Sequence, residues 1–211
     1  MIIAIDGPEA SGKGTVAKLI AQKYGFLHLD SGLLYRLTGV NLIGQIFQDN
    51  AAFVKAAIAA AHQITTDNLD NPPAQARSMQ GGIMASKVAV IPEVRNLITV
   101  LQQKFAAQQG SAVVDGRDIG TVVFPNADLK FWVIASLESR ASRRFADYQA
   151  KGKADTLAQV TAAIEARDHR DSTRAASPMK KAQDAHLIDT TKLSIDGVVE
   201  AMSAYIDAKL A

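Results

Sequence analysis

The chain has 211 residues, 48% of them hydrophobic and 21% charged, with 23 basic side chains against 21 acidic for a formal net charge of +2. That length holds one α/β core with small excursions rather than two full domains, and the composition is that of an ordinary globular protein, not a disordered one. So small a charge excess does not by itself imply a nucleic-acid or membrane partner, and none is expected; the lack of cysteine removes disulfides, a thiolate zinc site and a cysteine nucleophile together.

Ile2-Ile3-Ala4-Ile5 reads as a short buried strand, and Asp6 interrupts it too soon for a signal peptide or a membrane span, so a cytoplasmic protein is expected. Val16, Leu19, Ile20 and Tyr24 then recur at helical spacing until Gly25 stops the helix. Phe26-Leu27-His28-Leu29 is a second strand ending at Asp30-Ser31-Gly32, and Leu33 to Ile46 has a helical pattern; this start predicts a parallel sheet. From about Gln48 to Val90 the character changes, with an alanine-rich helix over Ala51 to Ala61 and the loop-forming cluster Asp67-Asn68-Leu69-Asp70-Asn71-Pro72-Pro73. Pro92 opens a helix whose apolar stripe is Val94, Leu97, Ile98, Leu101 and Phe105, closed by Gly110. Ala112-Val113-Val114, Leu129 to Ala135 and His186-Leu187-Ile188 are three further strands before a final helix towards Lys209. The expected class is therefore α/β, a five-stranded parallel sheet flanked by helices with its ligand site at the carboxyl ends of the strands. The core takes residues 1–47 and 92–211, and residues 48–91 form an excursion from it.

Between the first strand and the first helix lies Gly7-Pro8-Glu9-Ala10-Ser11-Gly12-Lys13-Gly14-Thr15-Val16, the pattern of a P-loop. In such a loop, backbone N–H groups and the helix N-terminus converge on phosphate oxygens, and Lys13 adds a positive charge over the outer phosphates. The residue after Lys13 is Gly14 rather than the usual Ser or Thr, so a metal-binding hydroxyl comes one position later, from Thr15; GKGT is the form found in nucleoside monophosphate kinases. Glu9 fits a loop that binds through its backbone if its side chain turns away, to solvent or to a second substrate.

Charged residues gather at the predicted strand ends. Asp115-Gly116-Arg117-Asp118 follows the third strand, where Asp115 can hold Mg²⁺ through water and Arg117 can grip a phosphate. Asp30-Ser31-Gly32 with Tyr35-Arg36 serves either as a helix cap or as part of a site. In Ala166-Arg167-Asp168-His169-Arg170-Asp171-Ser172-Thr173-Arg174, the residues Arg167, Asp171 and Arg174 continue the buried stripe of Leu157, Val160 and Ile164, which aims them into a cleft if the helix runs that far. Arg140, Arg143 and Arg144 suit either a cleft or the surface. His28, His62, His169 and His186 lack metal-ligand spacing and read as structural or exposed.

One loop for a polyphosphate, a carboxylate for Mg²⁺ and several arginines around a second anion describe phosphoryl transfer between two phosphate-bearing molecules. An acceptor phosphate is already anionic, so it needs charge neutralisation and alignment rather than a general base. Water must be kept out, and the segment from about Tyr148 to Asp171, with a tip at Lys151-Gly152-Lys153, is the expected lid. A regulatory GTPase is disfavoured because the Asp-x-x-Gly and Asn-Lys-x-Asp motifs are missing. A nucleic-acid-binding ATPase would show a larger basic excess or stacking aromatics.

GPEASGKGT, HLDSGLLYR, ASKVAVIPEVR, DGRDIGTVVFPNADLKFWVIAS, ARDHRDSTRAASP and LIDTTKLSIDGVV, in that order over nearly the whole chain, resemble the bacterial cytidylate kinase family. The resemblance implies a P-loop kinase core with an NMP-binding excursion and a helical lid, acting on ATP and CMP or dCMP with Mg²⁺; a monomer is the expected state. It implies that Lys13, Arg117, Arg167 and Asp115 serve catalysis, and that Ser31, Arg36, Arg117, Arg167, Asp171 and Arg174 surround the phosphate and sugar of CMP. Ser86, Arg95 and Asp118 match the cytosine-reading positions; a carboxylate accepts from the exocyclic amine that uracil lacks. Arg95 lies beside the apolar stripe of its helix and is expected to face the cleft. The stretch between Ala61 and Ser86 is shorter than in longer family members, and Ala76-Arg77-Ser78-Met79-Gln80-Gly81-Gly82 departs from their Ile-Arg-Thr-x-Glu-Val pattern while keeping Arg77.

Overall fold

A computed structural model of the chain describes residues 1–69, 71–152 and 154–211. Asp70 of the predicted loop cluster and Lys153 of the predicted lid tip lie outside the described residues.

Strand β1 (Ile2–Asp6) leads into α1 (Lys13–Tyr24), β2 (Leu27–Asp30) and α2 (Ser31–Val40). Helices α3 (Asn50–His62), α4 (Met79–Val88) and α5 (Pro92–Ala107) follow, then β3 (Ala112–Gly116) and β4 (Leu129–Ile134). Helices α6 (Leu137–Ala150) and α7 (Leu157–Thr173) precede β5 (His186–Asp189) and α8 (Ile195–Leu210). The five strands form one parallel sheet in the order β2-β3-β1-β4-β5. With β1 central, its side chains alternate between two cores. Ala4 joins Leu29, Val114 and residues of α2 to α5 on one face, and Ile3 and Ile5 pack on the other against α1 and α8. Each fully buried isoleucine contributes roughly 1.5–3 kcal/mol. Register aligns the carboxyl ends: Asp6 opposes Gly116, and Asp30 opposes Asp115.

Several local expectations change. The helical pattern from Leu33 to Ile46 is helix only to Val40; Leu42 and Ile43 then close i→i+3 turns on Gly39 and Val40. Leu42 is still buried, so a turn satisfies the apolar period that reads as helix, while Ile46 is exposed. The buried face of α5 runs through Val94, Arg95, Ile98, Gln102 and Ala106, and Leu97, Leu101 and Phe105 are only partly covered. Leu157 is exposed, because it is the first residue of α7 and the small core of Ala141, Tyr148, Val160 and Ile164 begins a turn later.

Between α3 and α5 the described residues contain no strand: two 3₁₀ turns, Thr66–Leu69 and Ala74–Arg77, precede α4. Ser78 caps α4 by accepting from the Gly81 N–H at 3.0 Å. No described helix is long and apolar enough to cross a membrane.

Candidate active site

The loop from Gly7 to Thr15 joins β1 to α1 under tight steric control. Gly7 has φ 156°, and a Cβ there would stand 2.0 Å from the Val133 carbonyl oxygen, so only glycine fits. Lys13 is buried and its ammonium donates to the Pro8 carbonyl at 3.1 Å. Burial pushes its pKa down to about 7, helped by Arg117 and Arg167 and opposed by Asp115 and Glu9. Thr15 is exposed at the start of α1. Val16 packs its side chain into the core and donates its N–H to the Gly12 carbonyl at 3.2 Å, which commits both to the fold.

An open cleft of about 1090 Å³ runs along this loop, lined among others by Ala10, Gly12, Lys13, Gly14, Thr15, His28 and Arg144. Gly7, Pro8, Ser11 and Val16 line neither this cleft nor the cavity beside it. Asp115, buried at the end of β3, brings its Oδ2 to the loop, 3.5 Å from where a Cβ on Gly14 would sit. Its Oδ1 lies 2.9 Å from His28 Nε2, so His28, expected to be structural or exposed, is part of the site wall. A carboxylate oxygen beside Gly14 and an exposed Thr15 hydroxyl make a donor set of the all-oxygen kind that suits a hard cation held jointly with phosphates.

The adjoining cavity, of about 190 Å³, is lined by all nine residues expected around the acceptor: Ser31, Arg36, Ser86, Arg95, Arg117, Asp118, Arg167, Asp171 and Arg174. Lys13, Gly14 and Asp115 line it too, so it opens onto the phosphate loop. Asp30 caps α2 by accepting from the Leu33 N–H at 3.1 Å, and Ser31 donates to the Asp115 carbonyl at 2.7 Å; cap and site coincide. At one end, Asp118 is buried between Arg95 and Arg174, the latter 3.3 Å from its Oδ1. Burial raises the Asp118 pKa even against these two guanidiniums. Arg95 lies on the buried face of α5 rather than beside it, yet reaches the cavity by stacking over Tyr35 at 5.6 Å and donating to Ser177 Oγ at 3.1 Å. Helix α7 stops at Thr173, and Arg174 follows in extended backbone with its guanidinium still on Asp118. The hydroxyls of Ser86 and Tyr35 are buried here with no hydrogen-bond partner among the described residues. Unmet buried donors in a cavity wall suit a polar ligand.

At the other end, Asp171 accepts from Arg117 Nε at 3.1 Å and stands 3.8 Å from Arg167 Nε. Arg36 donates to the Ala76 and Ser78 carbonyls at 2.9 and 3.1 Å, and burial lowers its pKa to about 10. Glu9 does not face solvent: its side chain is 11% exposed and meets Arg144, Arg167 and Arg36. The choice between cleft and surface for the α6 arginines resolves inward. Arg140 pairs with Asp168 and donates to the Glu9 carbonyl at 3.1 Å, while Arg143 donates to Thr190 Oγ1 at 2.9 Å. Tyr35 thus lines the cavity and Arg144 the cleft, while Arg140 and Asp168 hold the Glu9 backbone; all four stand in the sequence patterns named above, where none had an assigned role, and the i,i+4 spacing of Arg140 and Arg144 on one helix was the available signal.

Residues 3–208 match the family model described as Cytidylate kinase. The chain belongs to the cytidylate kinase family. Among its curated relatives, the cytidylate kinase of Methylocella silvestris is 45% identical over 99% of this chain and 94% of that protein. That of Bradyrhizobium diazoefficiens is 44% identical over 99% and 96%, and that of Actinobacillus succinogenes 42% over the whole of both. The fold is shared with solved structures of an uncharacterised Eubacterium ventriosum protein (TM-score 0.58, 14% identity, 98% of each chain) and of a Thermus thermophilus protein (0.52, 18%, 100% and 98%). In this member of the cytidylate kinase family the cleft along the Gly12–Thr15 turn and the arginine-lined cavity lie side by side, sharing Ala10, Lys13, Gly14 and Asp30.

Proposed function

We propose that this protein transfers the γ-phosphoryl group of ATP to CMP or dCMP, giving ADP and CDP or dCDP. The observation that carries the reading is the single cavity in which all nine acceptor candidates meet, opening onto Lys13. ATP lies with its phosphates along Gly12 to Thr15, and the acceptor nucleotide fills the cavity. Residues 48–91 form the NMP-binding part, residues 148–171 the lid, and the rest the core.

The acceptor oxygen is anionic at neutral pH, so no side chain takes its proton during attack. Arg36, Arg117 and Arg167 hold the acceptor phosphate, and Lys13 with Arg117 and Arg167 neutralises charge on the group in flight. Asp171 fixes Arg117 and takes the sugar hydroxyls. Mg²⁺ would be held by Thr15 and, through water, by Asp115, and would supply charge neutralisation on the donor phosphates. Asp118 accepts from the cytosine amine, with Ser86 and Arg95 completing the reading of the base; uracil presents an acceptor oxygen there, which faces the buried carboxylate with no proton between them.

The test is ADP release from MgATP with CMP, dCMP, UMP, AMP and GMP as separate acceptors and a no-acceptor control. CMP and dCMP are expected to dominate, with UMP roughly 100-fold poorer. Equal use of UMP would discard the base-reading role of Asp118, and acceptor-independent hydrolysis would discard the kinase.

A further inference from the structure

Glu9 is a carboxylate in the middle of a loop made for anions, and its surroundings give it a task. One oxygen, Oε1, gathers guanidiniums from three elements: Arg144 of α6, Arg167 of α7 at 2.8 Å and Arg36 of α2 at 3.6 Å. Its backbone is pinned on both sides, the N–H donating to Asp168 Oδ1 at 3.0 Å and the carbonyl accepting from Arg140 at 3.1 Å. The next residue, Ala10, takes the left-handed conformation at φ 59°, a costly arrangement kept only where the surroundings hold it. Burial opposes ionisation of Glu9, but Arg167, Arg144, Arg117 and Arg36 outweigh it and hold its pKa well below the usual carboxylate range. The side chain is therefore an anion, and it lines the same cavity as Arg36 and Arg167.

A carboxylate oxygen collecting guanidiniums does what a phosphate oxygen does. We propose that Glu9 is a specificity-determining residue of the acceptor site. It is an internal anion that keeps Arg36, Arg144 and Arg167 gathered and competes for them with any incoming phosphate. A nucleotide overcomes this competition because its base and sugar are anchored elsewhere, at Asp118, Ser86 and Asp171. Free inorganic phosphate has no such anchor and is excluded. The nucleotide half of the argument rests on the proposed function; the exclusion of inorganic phosphate rests on the arginine cluster alone.

The experiment is calorimetric titration of inorganic phosphate into the wild type, Glu9→Gln, Glu9→Ser and Glu9→Gln/Arg167→Ala, with the phosphate loop filled by a saturating non-hydrolysable MgATP analogue. Steady-state KM for CMP and for ATP is measured in parallel. Removing the charge is expected to tighten phosphate binding by about tenfold or more. The gain should vanish when Arg167→Ala is added, and KM for CMP should fall while KM for ATP holds. Unchanged or weaker phosphate binding in both single variants would overturn the proposal, as would an equal gain in the Arg167→Ala background. Should the kinase reading fail, the wild type releases no CMP-dependent ADP, while the phosphate titration still decides the role of Glu9.

Discussion

Asp6 closes β1 and accepts from the Ile119 and Gly120 N–H groups at 2.9 and 2.8 Å, so one carboxylate holds the turn that follows Arg117 and Asp118. Burial pushes its pKa from 3.8 up to about 7, against those two donors and Lys13. The native state then binds more protons than the unfolded chain between these values. Asp6 therefore contributes stability that is complete below about pH 4 and is lost as pH rises through about 7. Urea unfolding from pH 4 to 8 is expected to show the advantage of wild type over Asp6→Asn shrinking with rising pH. A constant or widening gap would mean that the two N–H bonds outweigh burial and Asp6 is ionised throughout. None of this was legible in the chain: Asp6 reads as the residue that interrupts an apolar run, and its partners lie more than a hundred positions away. Lys13, Asp115 and Arg117 were legible, because each sits at a fixed offset from a strand end in a recognisable local pattern.

At the scale of elements, α4 shows what local pattern hides. Gly81 and Gly82 lower helix propensity by about 1 kcal/mol each relative to alanine, and no helix is read there. The helix forms because it packs on α2, and Gly82 makes room for the site: a Cβ would lie 3.2 Å from Arg36 Nη2 and 3.3 Å from Arg167 Nη1. Gly82→Ala should leave unfolding stability equal or higher, since α4 gains propensity and guanidinium tips can yield. The displaced arginines should raise KM for CMP several-fold with little change for ATP. Lower stability with unchanged kinetics would show that α4 has no influence on the arginines. Helices α6 and α7 carry a related lesson. Val160, Ile164 and Asp171 share one buried face as their spacing implies, whereas Leu157 escapes burial because its helix begins before the partner surface does.

For the whole molecule, parallel strands in the order β2-β3-β1-β4-β5 bring Lys13, Asp115 and Arg117 to one edge, and α2, α4, α5 and α7 close a cavity over them. Ligand binding to that cavity should be read by the entire fold. CMP at about one hundred times its Kd stabilises the native state by about 2.7 kcal/mol, which for a chain of this size raises Tm by roughly 5–10 °C. UMP at the same concentration is expected to give a much smaller shift in a thermal melt. An equal shift would locate selectivity outside the Asp118, Arg95 and Ser86 end.

Sequence by itself determined the parallel sheet and the glycine-rich turn after its first strand, since strand-end motifs and helical spacing are short-range signals that any copy of the chain must express; of the nine residues that converge on one cavity, Ser86, Arg95 and Asp118 were assigned only through the family resemblance. Tertiary structure alone decided that Glu9 is held by arginines from three helices, that Arg95 is buried against Asp118, and that a segment carrying a glycine pair is nevertheless helix. Those outcomes depend on desolvation and on charges brought together from distant parts of the chain, and neither quantity exists until the chain has folded.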